Sequence, residues 1–355
     1  MKRGKKLIKV LAWILLIPAA LFGAFVLFLT VTDYNPAWKE EIKIIPPKGC
    51  PLPAEVKEIT FLTWNIGYGG LGKKMDFFYE GGTRVRPEKK EFEGYMEGIC
   101  RFLSTNDSVD FVFIQEADVH SRRSYYTDEV AEISKVLPNR FPLFAKNYDC
   151  RFVPVPLDDP MGRVVSGIAC FPKYKPLSAE RIDLGTRFSW PKQLVMLKRC
   201  FMVMRYKLVS GKELVIVNLH NSTFDKGGNM RKKELQEVHS FVLSEYTKGN
   251  YVITGGDWNN NPRGFRPESI KSGDLAKSVD PPLEESFLPG WKFAFDTAAP
   301  SNRDVDMPYR EGKTRTTIID FYVVSPNVEV ESVRTIATGF CFSDHQPVIM
   351  KVILK

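Results

Sequence analysis

Val10 to Leu29 is a run of twenty residues without a charge. At a helical rise of about 1.5 Å per residue it covers the roughly 30 Å hydrocarbon core of a bilayer. A cleavable signal peptide is the competing reading, but its apolar region usually holds only about 7–15 residues, and no small-x-small site follows Leu29. The pattern therefore predicts an uncleaved signal anchor over residues 10–30, preceded by a basic cytoplasmic tail over 1–9. Lys2, Arg3, Lys5, Lys6 and Lys9 all precede the apolar run, whereas Asp33, Glu40 and Glu41 follow it. By the positive-inside rule the short N-terminus stays in the cytoplasm and the bulk of the chain is extracytoplasmic. Residues 31–57 carry Pro36, Pro46, Pro47, Pro51 and Pro53 with little periodicity, which predicts an extended linker that holds a domain off the membrane.

From residue 58 to 355 the texture is that of one globular domain. Short apolar, β-branched or aromatic runs predict buried strands at Ile59–Ile66, Asp110–Ile114, Glu213–Leu219, Asn250–Thr254, Thr316–Ser325 and Pro347–Leu354. Two amphipathic stripes lie between them. Pro87 opens the first, with Phe92, Tyr95, Met96, Ile99, Phe102 and Leu103 at helical spacing. Leu235, Val238, Phe241, Val242 and Tyr246 form the second, which Gly249 and Asn250 end. Both stripes read as core-facing surfaces. Strands mixed with helices, without internal repeats, indicate an α/β domain. The connections Phe144–Pro176 and Asn260–Ser301 read as long and irregular, the setting in which functional loops tend to sit.

Composition adds limits. The formal charge is +8, but the five basic residues before the apolar run account for all but +3 of it. So small a margin over the rest of the chain does not argue for a polyanion groove. Six cysteines in an exported domain could form disulfides, yet no C-x-x-C pair exists, and Cys170 and Cys341 sit in apolar contexts that suit buried free thiols. Structural zinc is not indicated.

Six short polar clusters stand at the ends of the predicted strands: Thr63-Trp64-Asn65, Gln115-Glu116, Asn218-Leu219-His220, Gly256-Asp257-Trp258-Asn259, Ile319-Asp320 and Ser343-Asp344-His345. Any one of them is also an ordinary turn. Together they offer carboxylates, amides and two of the four histidines but no cysteine, an oxygen-rich set that suits Mg²⁺ or Mn²⁺. In extended backbone Asp257 and Asn259 project to one side, with Trp258 turned into packing. Gly255 and Gly256 permit conformations that a Cβ obstructs, or simply turn the chain. Asp344 and His345 diverge, so one can serve a metal while the other reaches water or a phosphate oxygen. Asp320 can accept the second ring N–H of His345 and fix its tautomer. His120 and His239 read as bland. Trp190 and Trp291 lie in loop contexts that suit contact with lipid or bases, or plain packing.

This ordered series, W-N at 64–65, Q-E at 115–116, N-L-H at 218–220, G-D-W-N at 256–259, I-D at 319–320 and S-D-H at 343–345, resembles the endonuclease/exonuclease/phosphatase superfamily over about residues 57–355. The resemblance implies a four-layer α/β sandwich, two mixed sheets packed face to face with flanking helices, and a site at one edge. It implies Glu116 as principal metal ligand, with Asn65 and Asp344 close to that metal. Asp257 and Asn259 would orient the nucleophilic water and the scissile phosphate, His345 with Asp320 would form the base or phosphate-polarising pair, and His220 would stabilise or protonate the leaving group. Trp258 departs from the smaller residue common between Asp and Asn in that family.

The expected activity is metal-assisted attack of water on a phosphoester. The membrane tether leans slightly towards a phospholipid or sphingolipid head group or a small phosphodiester. Clusters such as Arg84, Arg86, Lys89 and Lys90, or Arg231 to Lys233, leave a tethered nuclease acting on DNA or RNA as the alternative. A reading of another class is a binding module that has kept the fold and lost catalysis. Nothing in the sequence calls for an obligate protein partner.

Overall fold

The protein is described by a computed structural model, covering residues 2–45, 50–53, 56–223, 228–270 and 281–355. Strands are numbered in chain order: β1 Lys39–Glu41, β2 Glu58–Asn65, β3 Phe111–Asp118, β4 Leu143–Val153, β5 Gly162–Pro172, β6 Ser178–Asp183, β7 Cys200–Lys207, β8 Glu213–His220, β9 Tyr251–Asp257, β10 Lys292–Ala294, β11 Asp320–Val324, β12 Val328–Thr335 and β13 Val348–Leu354. The helices are α1 Lys2–Val31, α2 Lys89–Thr105, α3 Glu129–Val136 and α4 Asn229–Thr247.

These strands make two mixed sheets. One is six-stranded, in the order β12-β13-β2-β3-β5-β4, and the other seven-stranded, β1-β6-β7-β8-β9-β11-β10. Each has a parallel pair near its centre, β2 with β3 and β8 with β9, flanked by antiparallel neighbours. Parallel neighbours need a crossover, and here α2 and α4 supply it. Alternation along the strands then sorts the layers. Ile59 and Phe61 of β2, Phe111 and Phe113 of β3, Leu214 and Ile216 of β8 and Ile253 of β9 meet between the sheets. The alternate residues turn outward: Leu62, Trp64, Val112 and Ile114 pack under Phe92, Met96, Ile99 and Leu103 of α2. Val215, Val217 and Val252 pack under Val238 and Val242 of α4. The result is the expected α/β/β/α sandwich.

Helix α1 is the one helix among the described residues long and apolar enough to cross a membrane, over Lys5–Val31, and it is a candidate transmembrane segment. The extended linker expected over 31–57 does not stand free. Lys39–Glu41 pairs antiparallel with β6, and Cys50–Pro51 pairs with Tyr174–Lys175. Pro46 and Pro47 lie outside the described residues.

The stretch Phe144–Pro176, expected as an irregular connection, is for the most part the hairpin of β4 and β5, each eleven residues long. Charged residues along β4, the part-buried Lys146 and Asp149 and the exposed Arg151, hide its alternation. The first amphipathic helix begins at Lys89 with Glu88 as its cap, just past the expected opener Pro87, and the Glu91 carboxylate accepts the Glu88 backbone N–H at 3.4 Å. All six cysteines are unpaired, and Cys341 is half-buried where burial was expected.

Gly256 has φ of +137°, and a Cβ there would stand 2.1 Å from the Leu219 carbonyl oxygen. Strand β9 can approach β8 this closely only with glycine at that position. Gly256→Ala is expected to destabilise the detergent-solubilised chain by about 2–4 kcal/mol. A urea midpoint unchanged from wild type would show that the strands accommodate the methyl group.

Candidate active site

On the inward face of each central strand the apolar series ends at the same height, and polar side chains continue it. Ile59 and Phe61 are followed by Thr63 and Asn65, Phe113 by Gln115, Ile216 by Asn218 and His220, Ile253 by Gly255 and Asp257. Gln115 Nε2 bridges the sheets, donating to Asn218 Oδ1 at 2.7 Å and to Thr63 Oγ1 at 3.1 Å. Above this seam lies the cleft. Strand register sets His220 opposite Asp257, and Asp257 opposite Asp320, so three neighbouring strands present one row.

Glu116 reaches that row through a bulge. Between Ile114 and Ala117 the pairing of β3 with β5 slips, and Glu116 takes φ of +55°. Without the bulge, alternation would send this side chain outward beneath the helices. Instead its carboxylate lies 3.3 Å from Asn65 Nδ2 and 3.8 Å from His220 Nε2. Asn65 Nδ2 also donates to Asp257 Oδ2 at 3.0 Å, and its Oδ1 accepts from the Gly67 N–H at 2.9 Å.

Asp257 and Asn259 do not share an extended backbone as expected. Asn259 has φ of +49°, and its N–H donates to Asp257 Oδ1 at 2.9 Å, closing an Asx turn. Its amide nitrogen donates to the Asn221 carbonyl at 2.8 Å, and both residues still line the same cavity. Trp258 turns inward as expected, stacking on Phe321 with ring centroids 5.1 Å apart and donating its indole N–H to the Phe321 carbonyl.

The loop Ser343–His345 is fastened to β2 at two points: Trp64 Nε1 donates to the His345 carbonyl at 3.0 Å, and Ser343 Oγ to the Asn65 carbonyl at 2.8 Å. That fixes His345 so that Nδ1 meets Asp320 Oδ2 at 2.7 Å, the pairing expected from the sequence. Its Nε2 lies 3.8 Å from Asp257 Oδ2. All eight predicted site residues are thus gathered at one edge of the sandwich. His120 and His239 stand apart, against Tyr126 and Phe287.

So many buried acids repel one another. Burial pushes the Asp257 carboxyl up to about 7, with the His345 charge pulling against it and the Asp320 charge adding to it. Burial likewise lifts Asp344 to about 6, with His345 opposing and Glu116 adding. For His345 burial disfavours the imidazolium, but Asp320, Asp344 and Asp257 outweigh it and hold the ring well above its usual range. His220 goes the other way: burial, aided by Arg199 and His345, keeps it well below the usual histidine value and neutral at pH 7.

Several residues at the site were not legible beforehand. Asn302 places its amide 3.0 Å from His345 Nε2, and Ser301 Oγ donates to Asp320 Oδ2 at 2.8 Å. Both come from a connection with no strand signal. Arg199 is buried in the cavity wall, and its Nη1 has no hydrogen-bond partner among the described residues. Burial works against its charge, and Glu234, Glu116 and Asp257 support it. The Lys198-Arg199 pair directly before a β-strand was the available signal, but basic residues at strand ends are usually solvated.

No protein-family model matches the sequence, and no curated protein does. Solved structures do respond. A protein of Beutenbergia cavernae described as endonuclease/exonuclease/phosphatase is 14% identical over 84% of this chain and 72% of its own, with a TM-score of 0.56. A protein of Bacteroides vulgatus with the same description is 17% identical over 84% of this chain and 100% of its own, TM-score 0.53. The catalytic domain of human Nocturnin, solved with a sulfate anion, is 16% identical over 84% and 94% of the two chains, TM-score 0.52. The chain has the endonuclease/exonuclease/phosphatase fold.

Within that fold two groupings of donors could hold a cation. Asp257, Asp320 and His345 offer atoms within 4.8 Å of one another, but the 2.7 Å contact between Asp320 and His345 Nδ1 already occupies that pair. Glu116, with Asn65 and Asp344 beside it, is the more open grouping: its side chain is 26% exposed to the cavity, whereas that of Asp257 is 2% exposed.

Because the folded-state pKa of His345 is raised, the stabilisation from its imidazolium is fully present below the unfolded value near 6.5 and fades as pH rises through the folded one. Asp320→Asn is expected to lower the His345 pKa by at least about one unit in NMR titration with EDTA present. An unchanged titration would separate the two side chains electrostatically.

Proposed function

We propose that this chain is a membrane-anchored, divalent-metal-dependent phosphoester hydrolase that directs water in line at phosphorus. One observation carries the reading: five of the six polar clusters, at Glu116, His220, Asp257 with Asn259, Ile319, and Asp344 with His345, converge on a single cavity of about 310 Å³ whose lining also includes Arg123 and Arg199. The donor set fits a hard cation, since it is built of carboxylate and amide oxygens. Glu116 would hold Mg²⁺ or Mn²⁺ with Asn65 and Asp344, and the ion would supply charge neutralisation at the phosphate and on the departing oxygen. The sulfate bound to human Nocturnin is a tetrahedral oxyanion of the same shape as phosphate, which supports the reading.

The chain's own groups divide the remaining work. His345, oriented through Nδ1 by Asp320 and held as the imidazolium by the acids around it, presents its Nε2–H to the cavity to hold and polarise a phosphate oxygen. Asp257 orients the water, with Asn65 and the Asn259 backbone N–H fixing its two oxygens. Neutral His220, with Nε2 3.4 Å from Asp257 Oδ2, steadies the leaving oxygen as a hydrogen-bond donor. Arg199 is placed to grip a non-bridging oxygen.

The substrate we favour is a lipid head group or a small phosphodiester. The cavity walls include Leu71, Phe77, Met161, Met196 and Leu197, and its volume suits one head group better than a duplex. Tyr79, exposed at the cavity, is able to stack a base and supports a tethered nuclease as the second reading.

The full chain in detergent is expected to hydrolyse bis-p-nitrophenyl phosphate with Mg²⁺, and to lose turnover with EDTA or on Glu116→Ala. His345→Ala and His220→Ala should each lower kcat by about 10²–10⁴-fold. Losses below tenfold for both would remove them from the chemistry, and a folded chain inert on every phosphoester would favour a binding module. Arg199→Gln is expected to lower kcat/KM by roughly 10–100-fold, the worth of one charge-assisted hydrogen bond. Parallel assays on sphingomyelin, phosphoinositides, other phospholipids, plasmid DNA and RNA at two salt concentrations discriminate the substrates. Activity confined to nucleic acid, falling steeply with salt, would overturn the lipid reading.

A further inference from the structure

The chain leaving the apolar helix lies along the globular domain and is fastened to it every few residues. Phe25 meets Phe152 edge-on, with ring centroids 6.1 Å apart, and Leu29 is buried. Thr30 Oγ1 accepts the Trp190 indole N–H at 3.3 Å. Asp33 pairs with the buried Lys198 at 3.2 Å, and the Tyr34 hydroxyl donates to the Lys146 carbonyl at 3.3 Å. The Lys146 ammonium stands 4.2 Å from the centre of the Tyr34 ring. Then β1 joins the sheet edge.

These contacts set a height. Phe25 and Thr30 belong to the last two turns of α1, and Phe25 lies inside the uncharged run. Six residues separate it from the helix end at Val31, which at 1.5 Å each is about 9 Å of depth. A helix that crosses a bilayer over this run therefore carries Phe152 down to the acyl boundary and Trp190 to the level of the head groups. Phe152 is 39% exposed and Trp190 is 59% exposed although both are large and apolar. Around them stand Arg151 and Lys192, both exposed, the latter over the Phe188 ring at 3.9 Å. Aromatic rings with basic neighbours are the composition of a membrane interface.

We propose that Phe152 and Trp190, with Arg151 and Lys192, form a docking surface whose partner is the lipid bilayer that α1 itself crosses. The surface is linked along the chain to the candidate active site: Met161 follows the loop that begins beyond Phe152, Met196 and Leu197 follow the turn that begins beyond Trp190, and all three line the cavity. Resting on the hydrolase reading above, this geometry brings the cavity to phosphoesters carried in the bilayer.

The test uses the full chain in nanodiscs of phosphatidylcholine and phosphatidylserine, with and without brominated acyl chains. The Trp190 contribution to fluorescence is the difference between wild type and Trp190→Phe, a surface change that leaves the core intact. Brominated discs are expected to quench at least about half of it, while aqueous iodide quenches it less in discs than in detergent. Emission quenched by iodide and untouched by bromine would overturn the proposal, and so would emission shielded from both, which would signal a protein partner. Neither measurement needs turnover, so the docking surface and the hydrolase reading fail separately.

Discussion

The hydrogen bond from Gln115 to Asn218, 2.7 Å long, is the point at which the two sheets hold each other at the height of the site. Below it the inner faces meet through apolar side chains, a contact that tolerates sliding because dispersion and burial carry no direction. Above it the approaches of Glu116 to His220 and of Asn65 to Asp257 span the gap between sheets. Glu116 follows Gln115 directly, and His220 stands two residues beyond Asn218, so their 3.8 Å separation inherits its accuracy from the bridge. Both amides are fully buried, and Asn218 Nδ2 is also held by the Ala169 carbonyl at 3.0 Å. A buried amide without its partner costs about 1–3 kcal/mol, and this favours the one register in which both amides are satisfied.

That rigidity allows an electrostatic arrangement which a softer scaffold would relax away. Asp257 and Asp320 face each other across an antiparallel pair, where like charges repel. Raising Asp257 from 3.8 to about 7 corresponds to roughly 4 kcal/mol against its charged form, since one pKa unit is worth about 1.4 kcal/mol. That cost stands after the attraction of the His345 charge and the hydrogen bonds from Asn65 and Asn259 are included. A cleft that concentrates negative charge beside a partly exposed carboxylate attracts cations, and the same charge favours the His345 imidazolium, whereas burial and the positive charges of Arg199 and His345 keep His220 neutral. Two imidazoles that both face Asp257 Oδ2 are thereby given opposite protonation preferences by their surroundings, one by Asp320 and its neighbouring acids and the other by burial.

Much of this was legible in the sequence because it obeys periodicity. The runs ending at Asn65, His220 and Asp257 are buried strands whose polar tips break an apolar series, and the pairing of Asp320 with His345 follows from their chemistry. What stayed hidden depends on departures from regular backbone. Nothing local announces the bulge at Glu116 or the left-handed Asn259, because each is imposed by the neighbouring strand and loop. The hairpin Leu143–Pro172 was obscured because it lies at a sheet edge, where one face carries charges in place of a clean alternation. Arg199, Asn302 and Ser301 act through partners some twenty to eighty residues away, and no spacing encodes those contacts.

The segment between helix and domain shows the same principle at larger scale. Proline content reads as a free spacer, yet Lys39–Glu41 completes the edge of the seven-stranded sheet by pairing with Ser178–Asp183. An edge strand exposes unpaired N–H and C=O groups, and covering it removes a template for association with other chains. The chain that performs this cover is also the chain that emerges from the apolar helix, so protection of the edge and orientation of the domain follow from one set of hydrogen bonds. Because β6 is joined through β7 to β8, which carries His220, the segment that leaves the helix is connected to the candidate active site through a continuous sheet.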